Sequence, residues 1–183
     1  MRFLFCCVLL CVGNLVFAQD LANGLVAHYS FDDCQNRGKD ETGNNTNAVI
    51  QGNPNCVCGV SGNALEIDGV DDHLIFLGGV SNAFNTIDFS VSLYIKPTSG
   101  GGIQDIISKK EACTDDRAFS MSYVAGSNFV RAQLSQDEMR LTKLNAQLDF
   151  GRCWYHLVFV RRGNRSSLYV DGELVQELSL IHI

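Results

Sequence analysis

A chain of 183 residues can bury one sizeable core. Its net charge of −6 excludes the basic footprint expected of a nucleic-acid binder. Hydrophobic residues make up 46% and only two residues are proline, with no low-complexity stretch and no internal repeat, which excludes a disordered or repeat protein.

The N-terminus reads as a secretory leader. Arg2 supplies the positive end, residues 3–17 are apolar apart from Asn14, and Val16-Phe17-Ala18 places small residues where a signal peptidase cuts. Residues 1–18 are therefore expected to be removed before Gln19. The apolar run is too short for a membrane span.

The mature chain reads as strands. Residues 24–31 alternate Leu25, Ala27, Tyr29 and Phe31 with Val26, His28 and Ser30, predicting an opening strand. Residues 32–47 are polar and turn-rich. Residues 48–51 predict a short strand and 52–62 a loop. Residues 64–67 and 73–77 predict a hairpin around Asp68-Gly69-Val70-Asp71, and 78–86 a loop with at most one helical turn.

The clearest core strand is 87–96. Ile87, Phe89, Val91, Leu93 and Ile95 point one way, while Tyr94 and Lys96 point the other. A strand over 104–108 follows, then a pair over 119–125 and 128–135 around Gly126-Ser127. Weaker strands are predicted over 139–143 and 148–150.

The best-defined stretch is 153–175. Trp154, His156, Val158 and Val160 alternate with Tyr155, Leu157, Phe159 and Arg161. Gly163-Asn164 breaks the run, 167–170 is a second strand, and Asp171-Gly172 is a strong type I′ hairpin signal. No segment shows a sustained 3.6-residue period. Short strands with turn signals between them predict an all-β sandwich.

The stretch CWYHLVFVRRGNRSSLYVDGELV resembles the laminin-G-like domains of the concanavalin A-like lectin/glucanase superfamily, and LVAHYSFDD, GNALEIDGVDDHLIF, DFSVSLYIKP and IISK stand upstream of it in the order that family shows. The resemblance covers nearly all of the chain after residue 24. It implies an antiparallel jelly-roll sandwich over 19–177, with its last strands missing. Residues 178–183 match the translation of a common sequencing adapter and are expected to be an artefact.

The resemblance also bears on sites. Five cysteines follow the leader, and an exported protein is expected to oxidise them. Relatives often carry a staple at the positions of Cys113 and Cys153, so that pairing is expected. Cys34 is then expected to pair with Cys56 or Cys58, and spacing does not choose between them. Some relatives bind Ca²⁺ in loops rich in oxygen donors. Asp33, Asp40, Asn44 and Asn45 form the candidate loop here, beside the plainer reading of a solvated acidic loop. Asn44-Asn45-Thr46 and Asn164-Arg165-Ser166 match the glycosylation sequon.

For function, the resemblance implies a secreted recognition or adhesion module. Its partner would be an extracellular glycan or protein, and it would be one unit of a larger chain. The competing readings are a glycoside hydrolase on the same fold and a structural spacer. Laminarinase-like relatives carry two catalytic Glu on one strand with an Asp between them. Here Glu66, Asp68 and Asp71 come near that pattern. Asp71 is one methylene short, Gly69 interrupts the strand, and the odd spacing turns Glu66 and Asp71 to opposite faces. No catalytic residue is assigned. Tyr94, Lys96 and Tyr123 are the strand residues considered for a sugar-stacking platform, and the ligand-binding residues stay unassigned.

Overall fold

The computed structural model describes residues 22–44, 46–85, 88–98, 101–110, 118–137, 140–149 and 151–179. Residues 1–21, which include the expected leader, lie outside the described residues, as do Asn45, Cys113 and residues 180–183. Side chains at 136, 137 and 140 are not described.

The elements in chain order are β1 (Val49–Gln51), β2 (Asn55–Cys58), β3 (Asn63–Glu66), β4 (His73–Ile75), the short helix α1 (Gly79–Ala83), β5 (Phe89–Ile95), β6 (Ile103–Lys109), β7 (Phe119–Val124), β8 (Phe129–Asp137), β9 (Arg140–Gln147), β10 (Tyr155–Arg162), β11 (Arg165–Val170) and β12 (Glu173–Ser179). Four-stranded sheets run β12-β11-β10-β5 and β6-β7-β8-β9, and all their pairings are antiparallel. Two-stranded ribbons β1-β4 and β2-β3 complete the fold.

The core lies between the two larger sheets. Alternation dictates which residues enter it: Phe119, Met121, Val130 and Leu144 come from one sheet, and Leu157, Phe159 and Leu168 from the other. Phe119 and Phe159 meet across the interior with ring centroids 4.8 Å apart, and Phe89 packs edge-on against Phe119 at 5.4 Å. Such aromatic pairs add specific contact energy to the area they bury. At one side the free backbone of β9 is covered from the opposite sheet, where Gln176 Oε1 accepts the Asn145 N–H at 2.7 Å. That contact satisfies an edge group that would otherwise invite another strand.

The all-β architecture and the strands of the two large sheets agree with the alternation in the sequence. Asp171 (φ 51°) and Gly172 (φ 85°) both take the left-handed conformation that a type I′ turn needs. Leu178 and Ser179, the first two residues of the segment expected to be artefactual, pair with Ser166 and Arg165.

Four expectations need correction. Residues 25–31 alternate but pair with no strand, because the loop that follows satisfies their backbone with side chains and one backbone N–H. The His28 N–H donates to Asp40 Oδ1 at 3.0 Å, the His28 carbonyl accepts from the Glu41 N–H at 2.8 Å, and Asn44 Nδ2 donates to the Val26 carbonyl at 3.0 Å. Phe31 then turns the chain with φ 62°. Residues 55–58, expected as loop, form β2.

The third correction concerns the expected hairpin of 64–67 with 73–77, which does not form. Asp68 Oδ1 accepts from the N–H groups of Val70, Asp71 and Asp72, so the loop coils around that carboxylate and the strands part. β3 pairs with β2, and β4 with β1. Finally, Leu148 and Asp149 continue past the end of β9 without forming a strand.

Candidate functional site

β5 and β10 place Tyr94 and His156 directly opposite one another on the outer face of the β12-β11-β10-β5 sheet. Neighbours of that kind have side chains close enough to touch. Their rings stack with centroids 4.5 Å apart and planes at 21°. Ser92, two residues earlier on the same face of β5, holds His156 Nε2 through its Oγ at 2.8 Å. The His156 ring is thereby fixed, and the Tyr94 ring lies flat against it.

Tyr94 remains 56% exposed and its hydroxyl has no partner among the described residues. The backbone beneath is held by the Asp171 turn. The His156 N–H donates to Asp171 Oδ1 at 2.9 Å, and the Asp171 N–H donates to the His156 carbonyl at 2.8 Å. Arg152 Nη1 pairs with Asp171 Oδ2 at 2.9 Å and brings a half-exposed guanidinium to the same end of the sheet. Lys96, one residue past β5, is also exposed.

The result is a rigid aromatic surface with hydrogen-bonding and cationic groups around it. Chemically, it can stack on the apolar face of a sugar ring or an aromatic side chain and bond to hydroxyl or carboxylate groups at the rim. The outer face of the second sheet differs, because its polar groups bond each other. Arg131 lies over the Phe129 ring at 5.3 Å and donates from Nε to Asn145 Oδ1, while Ser122 Oγ donates to Asp105 Oδ1.

Tyr123 does not share the platform. It lies on β7 in the opposite sheet, faces the core, and donates its hydroxyl to Asn128 Oδ1 at 2.8 Å. His156, Ser92 and Asp171 were missed in the sequence. The partnership needs the register of two strands separated by 60 residues of chain, roughly, and alternation alone does not supply it.

The candidate calcium loop has a different organisation. Asp40 is buried, and its oxygens accept from the His28 N–H, the Thr42 N–H and hydroxyl, and the Thr46 hydroxyl. Burial would raise its pKa. The hydrogen bonds from Thr46, His28 and Thr42 outweigh burial and hold the carboxyl well below the usual carboxylate range. Asp33 Oδ1 accepts from the Gln35 and Asn36 N–H groups, and the Asn44 amide is spent on Leu25 and Val26. Protein donors thus occupy both oxygens of Asp40 and one oxygen of Asp33, while Asn44 turns its amide nitrogen to two carbonyls.

Among the described residues, the carboxylates that do approach one another are Asp68, Asp71 and Asp72, within 4.8 Å. Asp68 is committed to its turn, and Asp72 accepts from the Asn53 N–H at 2.6 Å. Glu66 accepts from Asn55 Nδ2 at 3.3 Å across β2 and β3.

Of the cysteines, Cys34 bonds Cys56, which resolves the choice that spacing left open. Cys58 and Cys153 are exposed and join no disulfide with a described cysteine.

A family profile described as the concanavalin A-like lectin/glucanases superfamily matches residues 68–181. No curated protein matches the sequence. Among solved structures, an S-layer domain-containing protein from Clostridium thermocellum is 24% identical with a TM-score of 0.54, over 83% of this chain and 71% of that one. The binding domain of botulinum neurotoxin DC, solved with rat synaptotagmin II, is 18% identical with a TM-score of 0.59, over 77% of this chain and 36% of that one. A structure of botulinum neurotoxin type C, whose cell entry depends on interaction with two ganglioside molecules, is 15% identical with a TM-score of 0.57, over 78% of this chain and 36% of that one. The chain thus spans about a third of the toxin structures' length, and these likenesses concern the fold.

Proposed function

The chain belongs to the concanavalin A-like lectin/glucanase superfamily, and from that premise we propose that it is a secreted, non-catalytic recognition or adhesion module. Its ligand is an extracellular carbohydrate or protein, and it acts as one unit of a larger extracellular chain. One observation carries the reading: Tyr94 is stacked on His156, pinned from behind by Ser92, and still more than half exposed. An aromatic ring held flat on a sheet face loses little freedom when a ligand settles on it, which is the preorganisation that binding rewards.

The leader pattern supports export, and the Cys34–Cys56 bond suits an oxidising compartment. The toxin structures named above bind a protein in one case and are tied to gangliosides in another, which supports a binding role on this fold by analogy. The non-catalytic reading draws support from Glu66 and Asp68. Both carboxylates are bonded within their own ribbon and turn, as structural residues are.

A glycan array and a pull-down from extracellular matrix, each run with the full chain and with Tyr94→Ala, test the proposal. The expected result is specific binding that Tyr94→Ala weakens at least about tenfold, the scale of one lost stacking contact. The variant should unfold at the same temperature as the parent. Binding that is indifferent to Tyr94, or hydrolysis of a glycan that Glu66→Gln abolishes, would overturn it.

A further inference from the structure

Two sequons stand in the chain, and the structure sets them apart. In the first, both uses of the Asn44 amide nitrogen are internal: it donates to the carbonyls of Leu25 and Val26. The Thr46 hydroxyl of that triplet is committed to Asp40 at 2.6 Å. A sugar on Asn44 would remove one of the N–H groups that tie residues 25–26 to the loop.

The second sequon has none of these commitments. Arg162 and Arg165 are paired, so Gly163 and Asn164 are the two central residues of the β10–β11 hairpin. Gly163 has φ 56°, while Asn164 is not among the residues of positive φ, which is the pattern of a type II′ turn. The Gly163 N–H donates to Asp88 Oδ1 at 2.6 Å, fixing the tip against the start of β5. Asn164 is exposed, and its amide makes no hydrogen bond among the described residues. Substituting one amide hydrogen there disturbs nothing in the fold.

We propose that Asn164 is an N-linked glycan acceptor. The inference rests on the secreted reading above. The transfer forms a bond between Asn164 Nδ2 and the anomeric carbon of a lipid-linked oligosaccharide diphosphate. The anomeric C–O bond to the diphosphate breaks, the lipid diphosphate leaves, and the amide gives up one proton. Ser166, whose hydroxyl completes the triplet, is only 1% exposed in the folded chain. The transfer therefore precedes closure of the β10–β11 hairpin, and the finished fold then displays the sugar at its tip.

The position is compatible with binding. His156 and Arg162 are six residues apart on one strand, so the sugar stands ~20 Å from the Tyr94–His156 platform, at the opposite end of the same sheet. The glycan would shield the hairpin end and leave the platform open.

The test is to secrete the full chain from cultured eukaryotic cells, once behind its own leader and once with residues 1–18 replaced by a proven leader. Failure with the native leader alone speaks against the secreted reading and leaves the second arm to judge Asn164. Enzymatic release of N-glycans in heavy-oxygen water converts a glycosylated Asn to a labelled Asp, which peptide mapping locates. The expected result is label at Asn164 and a loss of mass heterogeneity in Asn164→Gln, which is secreted and folded like the parent. Secreted, folded protein with Asn164 unlabelled, or labelled only at Asn44, would overturn the proposal.

Discussion

Thr46 donates its hydroxyl to Oδ2 of Asp40 at 2.6 Å, and Asp40 in turn accepts the N–H of His28 on its other oxygen at 3.0 Å. One buried carboxylate therefore ties the irregular segment 25–31 to the loop that follows it. The segment has no ladder of its own, so these bonds replace the strand pairing that its alternation predicts.

Asp40→Asn should accordingly destabilise the chain by about 2–3 kcal/mol, because an amide cannot accept from every donor now facing the carboxylate. Urea unfolding of the two proteins at neutral pH measures this. The pH dependence has a definite sign. An unfolded Asp titrates at about 4, and the folded carboxyl sits below that. The stabilisation is complete above that value and is lost as the pH falls toward the folded pKa, since the unfolded chain takes up the proton first. The gap between parent and Asp40→Asn should therefore be constant at neutral pH and narrow below pH ~4. A gap that widens on acidification would contradict the assignment.

Asp171 carries two burdens that different substitutions separate. It sits at φ 51°, where Asn and Gly are tolerated and β-branched residues are strained. Its carboxylate also holds the His156 N–H and Arg152. Asp171→Val loses both the carboxylate and the turn geometry, and the backbone strain alone should cost about 1–3 kcal/mol. Asp171→Asn should keep the turn and lose the full charge of the Arg152 pair, with a stability change near ~0.5 kcal/mol. Thermal melts of the two variants decide the matter, and equal losses would show that the turn geometry is not the controlling factor.

The legibility of the fold in the sequence followed the strength of its periodicity. β5 and β10 bury one face of a wide sheet, so Phe89, Val91 and Leu93, and likewise Tyr155, Leu157 and Phe159, had to alternate. The ribbons were harder to read, because β1 to β4 contain three or four residues each and bury little. Their pairing depends on Asp68 and Asp72 gathering backbone N–H groups, which no hydrophobic pattern records. Tyr94 was legible as outward-facing from parity alone. Its partner was not, because His156 becomes its neighbour only through the β5–β10 register. Parity also left Tyr123 ambiguous: alternation shows that Phe119, Met121 and Tyr123 share a face, but not which sheet they belong to or whether that face is the core.

The cysteines supply the last prediction. Cys34 and Cys56 are bonded and close a stretch of 22 residues. Removing the bond should cost about 3 kcal/mol on the chain-entropy account, which gives that scale for loops of this length. The loss should concentrate in the N-terminal region, since the bond links the turn after Phe31 to β2 and the two large sheets lie elsewhere. Hydrogen exchange on Cys34→Ser with Cys56→Ser should show faster exchange in β1 to β4 and little change in β7, β8 and β10. We further propose that Cys153, exposed just before β10, pairs with Cys113, which lies outside the described residues. Peptide mapping of unreduced protein should then recover Cys34–Cys56 and Cys113–Cys153, with Cys58 alkylated by reagent. A Cys58–Cys153 peptide would sink the second pairing, and a Cys34–Cys58 peptide would show that β2 does not sit in the register found here. In that register Cys56 lies opposite Leu65 and Cys58 opposite Asn63. The two cysteines stand two positions apart and so share one face of β2, which is why parity does not choose between them; the Cys34–Cys56 bond, with Cα atoms 5.7 Å apart, does.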